Sequence, residues 1–237
     1  MPTSKDNVAW KGWGASDIGH YRSLNEDQMV LDNGAGLFLV SDGMGGVDGG
    51  EVASGLIAEH LPKLIKDTLA KFPDLTNVQT QTAVQEDICA INDLVHREGM
   101  ERGFPGMGAT LVLTIVQDSR AYIFHVGDSR CYLLSPRSIQ LLTRDHTISE
   151  NGKYQVLTRV IGMEAPVQAD FKMQALQSNQ CLLLCTDGLN HMIPDEEIQA
   201  AFQESLPEKI CQDLITRAKA AGGEDNITVI VLKPSQE

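Results

Sequence analysis

Apolar positions along the chain change period twice. Between residues 49 and 96 they recur at helical spacing. Val52, Leu56, Ile57, Leu61, Leu64 and Ile65 form one stripe, and Val84, Ile88, Ile91 and Val95 form a second. The intervening 71–82, with Pro73 and Asn77, reads as a loop inside one domain. Before the helices, 11–18, 28–32 and 36–41 read as short strands, and Asn33-Gly34 marks a hairpin. After them, 109–116, 120–126, 130–134, 138–142, 169–176 and 180–185 read as successive strands. Gln117-Asp118-Ser119, Gly127-Asp128-Ser129 and Gln177-Ser178-Asn179 are turns between them. Connections this short exclude a mostly parallel sheet, whose crossovers need about a dozen residues. Ser205-Leu206-Pro207-Glu208 reads as a capping box opening a helix that carries Ile210, Leu214 and Ala218. Gly222-Gly223 stops that helix, and 227–232 reads as a closing strand. Strands and helices in separate blocks predict an α+β protein with antiparallel sheets.

Composition narrows the function. The 237 residues include 19 Lys plus Arg against 32 Asp plus Glu, a formal charge of -13. Such a surface repels phosphate backbones and anionic lipid, and no basic patch offsets it. Nucleic-acid and membrane partners are therefore not expected. No apolar run approaches the length of a membrane span, and the start of the sequence lacks a signal-peptide pattern. The five cysteines are an odd number at low density. Cys181 and Cys185, on one face of a strand, would lie about 13 Å apart, too far for a disulfide. Reduced thiols in a cytoplasm are the expectation.

Familiar catalytic signatures fail. The Gly-rich Gly43-Met44-Gly45-Gly46-Val47-Asp48 has neither the third glycine of a dinucleotide loop nor a following Gly-Lys-Ser/Thr. There is no G-x-S-x-G elbow. Two Cys-x5-Arg matches, at Cys131 and Cys211, lack an anion nest or fall inside a helix.

Acids at strand ends are the positive signal. A run at 37–41 leads into Asp42-Gly43, and a run at 181–186 leads into Asp187-Gly188. The run at 122–127 leads into Asp128, and Glu224-Asp225-Asn226 precedes the closing strand. Asp-Gly is also a common turn pair. Carboxylates brought together at these ends would repel and recruit a hard divalent cation. Read this way, the residues point to a hydrolase with two or three metals and go no further.

Eight blocks in order resemble the metal-dependent PPM/PP2C protein serine/threonine phosphatases in their compact bacterial form. They begin with Ser16-Asp17-Ile18-Gly19, Arg22 and Asn25-Glu26-Asp27. Val40-Ser41-Asp42-Gly43-Met44-Gly45-Gly46 with Gly50-Glu51, Gly106-Met107-Gly108-Ala109-Thr110 and His125-Val126-Gly127-Asp128-Ser129-Arg130 follow. Leu142-Thr143-Arg144-Asp145-His146, Leu157-Thr158-Arg159-Val160-Ile161-Gly162, Thr186-Asp187-Gly188-Leu189 and Gly223-Glu224-Asp225-Asn226-Ile227-Thr228 complete the set.

The resemblance implies one phosphatase domain over 1–237, with its motif-bearing core at about 11–232. The implied fold is a sandwich of two antiparallel β-sheets flanked by α-helices, four layers in the order αββα. It implies two Mn²⁺ or Mg²⁺ ions, with Asp42 bridging them and Asp187 and Asp225 completing one. The Gly43 carbonyl would bind the other, with Glu26 and Asp27 acting directly or through water. Asp128 with Asp187 matches a third, weaker site, and Arg22 would hold the phosphate. The implied substrate is a protein phosphorylated on serine or threonine, opposite a Ser/Thr kinase. A phosphatase of small phosphate esters and a silent metal-binding module are the rival readings, and the complete acid set argues against silence.

Three features depart from the wider family pattern. Met44 stands where many eukaryotic members carry a histidine. His191 reads as a helix-start cap, with proton donation as the alternative. The flap at about 146–157 is short, which predicts an open cleft suited to a folded phosphoprotein. Compact phosphatases of type VI secretion systems share this size, which makes that context an expectation.

Overall fold

The protein is described by a computed structural model over residues 9–45, 49–150, 154–203 and 206–235. The chain starts with β1 (Trp10–Asp17), β2 (Asp27–Asp32) and β3 (Leu37–Met44), followed by helices α1 (Gly49–Lys71) and α2 (Val78–Arg102). Next come β4 (Gly108–Ala109), β5 (Leu111–Gln117), β6 (Arg120–Val126), β7 (Arg130–Ser135) and β8 (Ser138–Leu141). Strands β9 (Thr147–Glu150), β10 (Tyr154–Leu157), β11 (Asp170–Ala175) and β12 (Cys181–Cys185) follow. Helices α3 (Asp187–Asn190), α4 (Asp195–Ala201) and α5 (Pro207–Ala220) lead to β13 (Ile227–Pro234).

One sheet has the order β1-β13-β12-β7-β8, and the other β11-β6-β5-β3-β2 with β4 on β3. Their pairings are antiparallel. Side-chain alternation builds three apolar layers from them. Leu37 and Leu39 face the helical layer of Ile57, Leu61, Ile88 and Ile91, while Phe38 and Val40 face the opposite sheet. Leu182, Leu184, Ile230 and Leu232 meet them there. Leu183, Cys185, Val229 and Val231 pack outward against Leu189, Ile198, Ile210 and Leu214. The result is the αββα sandwich. Burial on both faces explains why β3, β12 and β13 read as continuous apolar runs.

Some boundaries differ from the sequence reading. Helix α2 begins at Val78, within the expected loop, because Asn77 caps it: Gln79 N donates to Asn77 Oδ1 at 2.9 Å. Helix α5 begins at Pro207 with Leu206 at its N-cap, so it starts a residue later than a capping box on Ser205 implies. Ser205 itself, like Gly46, Val47 and Asp48 of the Gly-rich motif, lies outside the described residues. Where the sequence reading expects a short flap, β9 and β10 form a two-stranded ribbon. Among the described residues no helix is long and apolar enough to cross a membrane. The five thiols are free.

His125 sits in the layer between the sheets, 1% exposed, on the same strand face as Ile123. Burial, aided by the nearby His146, lowers its pKa to about 4. An unfolded imidazole titrates near 6.5. The native state therefore binds fewer protons between these values, and stability falls as pH drops through that window. The loss is about 3 kcal/mol once both forms are protonated. Urea titrations are expected to show wild type losing about 2–3 kcal/mol more than His125→Leu between neutral pH and about pH 4.5. Parallel pH profiles for the two proteins would refute this.

Candidate active site

Strand order brings the acids together. β2 and β3 are antiparallel neighbours, which places Asp27 at the start of one opposite Asp42 at the end of the other. β12 and β13 are likewise paired, so Asp187 just past β12 meets Asp225 just before β13. The turn from β6 to β7 passes from one sheet to the other at this same end and carries Asp128. Gly127 makes that turn possible: its φ is +103°, and a Cβ there would lie 2.6 Å from Thr110 Cγ2. Gly43 is constrained differently, since a Cβ would run into the Gly50 carbonyl at the start of α1.

Arg22, Glu26, Asp42, Asp128, Asp187 and Asp225 line a cleft of about 360 Å³, with Gly43 and Met44 on its wall. Asp27 is 4% exposed beneath it. A larger groove, about 740 Å³, lies at the opposite end of the sandwich between Trp13, Phe202 and Lys233, and among the described residues no acid lines it.

The cleft is electrostatically strained. Burial first, then Asp27, Asp187 and Asp225, push the Asp42 carboxyl well above the usual range. Burial raises Asp27 to about 7 despite hydroxyl contacts from Thr228 and Thr186. Burial and Asp187 raise Asp128 to about 6. Burial pushes Asp187 up as well, but the His191 hydrogen bond and charge overcome it and leave that group low. Arg22 Nη2 donates to Asp225 Oδ2 at 2.6 Å, and its Nη1 lies 3.7 Å from Glu26 Oε2.

His191 closes the C-terminal end of α3 and is not a helix-start cap. Its Nδ1 lies 3.2 Å from Asp187 Oδ2.

The residues present fit a divalent cation. Asp27 Oδ1 and Asp187 Oδ1 are buried without a hydrogen-bond donor. Orphaned carboxylate oxygens among mutually repelling acids are the donor set of hard cations. Among the described residues no three acidic, histidine or cysteine side chains already form a closed ligand set. Asp225 is instead paired with Arg22, and Asp187 with His191.

Three supports were not singled out from the sequence, although each sits inside a quoted motif. Thr110 Oγ1 accepts from Asp42 N at 2.9 Å and contacts Ser129 Oγ at 2.6 Å. Thr186 Oγ1 donates to Asp27 Oδ2 at 2.8 Å and accepts from Thr228 N at 3.0 Å. Asn226 accepts from Glu26 N at 2.8 Å and donates to the carbonyls of Ile18 and Leu24, each at 3.0 Å. It thereby fixes the arm that carries Arg22 and Glu26. Asn226→Ala strands these groups and is expected to cost about 2–4 kcal/mol in a denaturant titration. A loss within experimental error would show that the arm does not depend on it.

A carboxylate cluster with unsatisfied oxygens and an arginine at its rim defines a class of hydrolase that binds divalent cations and an anionic substrate. The chain belongs to the protein phosphatase 2C family, whose model matches residues 19–221. It is 34% identical over 239 aligned positions to the serine/threonine phosphatase stp of Listeria monocytogenes serotype 4b, covering 92% of this chain and 93% of that one. PppA, described as a key regulatory component of the type VI secretion system in Pseudomonas aeruginosa, superposes with a TM-score of 0.81. It has 29% identity, over 96% of this chain and 99% of that one. The catalytic domain of the serine/threonine phosphatase PstP, solved with two manganese ions, gives a TM-score of 0.79 and 31% identity. The match covers 97% of this chain and all (100%) of that domain.

Proposed function

We propose that this chain hydrolyses phosphoserine and phosphothreonine on proteins, reversing a serine/threonine kinase in the cytoplasm. The observation that carries the proposal is the convergence of Asp27, Asp42, Asp187 and Asp225, two of them with orphaned buried oxygens, below Arg22. Asp42, Asp187 and Asp225 would hold one Mn²⁺ or Mg²⁺ ion. Asp42 and the Gly43 carbonyl, with Glu26 and Asp27, would hold another. Asp128 and Asp187 are the residues for a third, weaker site. Bound there, the ions would lower the pKa of water toward neutrality and screen the charge of the phosphoryl group.

The chain's own groups do the rest. Arg22 is 45% exposed at its side chain, so its fork can turn from Asp225 to two phosphoryl oxygens. Thr186 and Thr110 hold Asp27 and the Asp42 backbone in place while charge builds nearby. No side-chain nucleophile is required, which accounts for the missing elbow and cysteine signatures. The short β9–β10 ribbon leaves the cleft open to a folded phosphoprotein. The likeness to PppA supports a type VI secretion context.

Arg22→Ala is expected to lower kcat/KM on a phosphothreonine peptide by about 10²–10³-fold, with Lys a poor substitute because it lacks the fork. Mn²⁺ binding by calorimetry is expected to persist, since Arg22 supplies no ligand atom. An unchanged kcat/KM would remove Arg22 from the phosphate site.

A further inference from the structure

The sandwich opens a second time, at its side. β8 and β11 are the edge strands of the two sheets, and they lie on the same side because the β6–β7 turn stacks their neighbours. Between them is a cavity of about 340 Å³, walled by Ile123, Leu142 and Phe171 and rimmed by Thr143, Arg144 and Lys172. It shares no lining residue with the acidic cleft.

Two independent observations point to a ligand. The first is His125, which lines the cavity from the interior of the sandwich at 1% exposure. Neither ring nitrogen has a well-formed hydrogen bond, although the Ser129 backbone lies close. A buried polar group left so is destabilising until a partner satisfies it. The second is the rim charge. The side chains of Arg144 and Lys172 enter no hydrogen bond or ion pair among the described residues. Asp170 also lines the cavity, but its carboxylate is already engaged, with Oδ1 2.7 Å from Arg159 Nη1 and Oδ2 3.2 Å from His146 Nε2. The uncompensated charge here is therefore positive, on a chain whose formal charge is -13.

We propose that this cavity binds a phosphate-class oxyanion between Arg144 and Lys172, with the His125 imidazole donating to one of its oxygens. The guanidinium fork matches two oxygens, and Lys172 adds a point charge. The imidazole contributes a neutral N–H, its tautomer set by the ligand. The volume lies near the lower end of small-ligand pockets, about 300–1,000 Å³, enough for a phosphate and its ester carbon against the apolar wall. Such a group comes either as free inorganic phosphate or on a phosphorylated residue of a protein.

The test is a titration of the protein in Mg²⁺-containing buffer, at constant ionic strength, read at the His125 ring by NMR. One arm adds inorganic phosphate. The other adds a peptide carrying a non-hydrolysable phosphonate in place of phosphoserine. The His125 signal is expected to move saturably in at least one arm, and Arg144→Ala and Lys172→Ala are each expected to weaken that binding about tenfold or more. A response to phosphate alone assigns the site to the free anion. A response to the peptide at lower concentration assigns it to a phosphoprotein. A His125 signal that stays still in both arms, or moves equally in the variants, overturns the proposal.

Discussion

Asp42→Asn is expected to reduce phosphate release from a phosphothreonine peptide by about a thousandfold, or about 4 kcal/mol of barrier. Asp42 stands opposite Asp27 and at the point where Asp27, Asp187 and Asp225 all act on it. The amide keeps the shape and the backbone bond to Thr110. It removes the charge that a cation needs. Without metal the variant is expected to be at least as stable as the parent, because it deletes a buried carboxylate repelled by three others. Thermal unfolding with chelator checks that half of the prediction, and the peptide assay checks the other. Near-normal turnover by a folded Asp42→Asn protein would exclude Asp42 from the centre.

The second large effect is a metal-induced stabilisation that grows with pH. Asp27 titrates at about 7 in the folded chain, against 3.8 as its ordinary value. Without metal, the folded state therefore binds more protons than the unfolded state across that window. Its stability falls as pH rises from about 4 to about 7, by up to about 4 kcal/mol. A divalent cation held by the deprotonated carboxylates would reverse this cost. The difference in Tm between Mn²⁺-loaded and chelated protein is expected to be small near pH 5 and several degrees larger near pH 7.5. His125 titrates in both forms and cancels from the difference. A metal shift that is flat across this range, or larger in acid, would contradict the assignment of Asp27 and Asp42 as the raised groups.

The apolar pattern carried the antiparallel α+β order, while the layered sandwich came from the family resemblance. Leu37 to Val40 and Leu182 to Leu184 have no polar alternation because both of their faces are covered. The flap was harder to read. β9 and β10 pair with each other and join neither large sheet, so the apolar period of the sandwich strands does not extend to them. The early start of α2 was missed because 78–82 is polar and rich in threonine, although Asn77 carried the cap signal.

The site divides in the same way. The four acids at strand ends were legible together as a candidate metal cluster, and the family resemblance added Arg22, Glu26 and Asp27. That Asp27 faces Asp42 is a fact of strand pairing, and periodicity does not encode it. Thr186, Thr110 and Asn226 act through partners 159, 68 and 200 residues away, so nothing local marks their role. The cavity beside His125 is a further case: Arg144 and Lys172 come from edge strands of different sheets, or just beyond them, and only the stacked sheets bring them together.

The most direct test of the central claim is phosphate release by chelator-treated protein from a phosphothreonine peptide, measured before and after adding Mn²⁺. The carboxylate cleft predicts no release without the cation and restored release with it, while Asp187→Asn stays silent in both. Equal release from chelated and Mn²⁺-loaded protein, or full activity in folded Asp187→Asn, would contradict it.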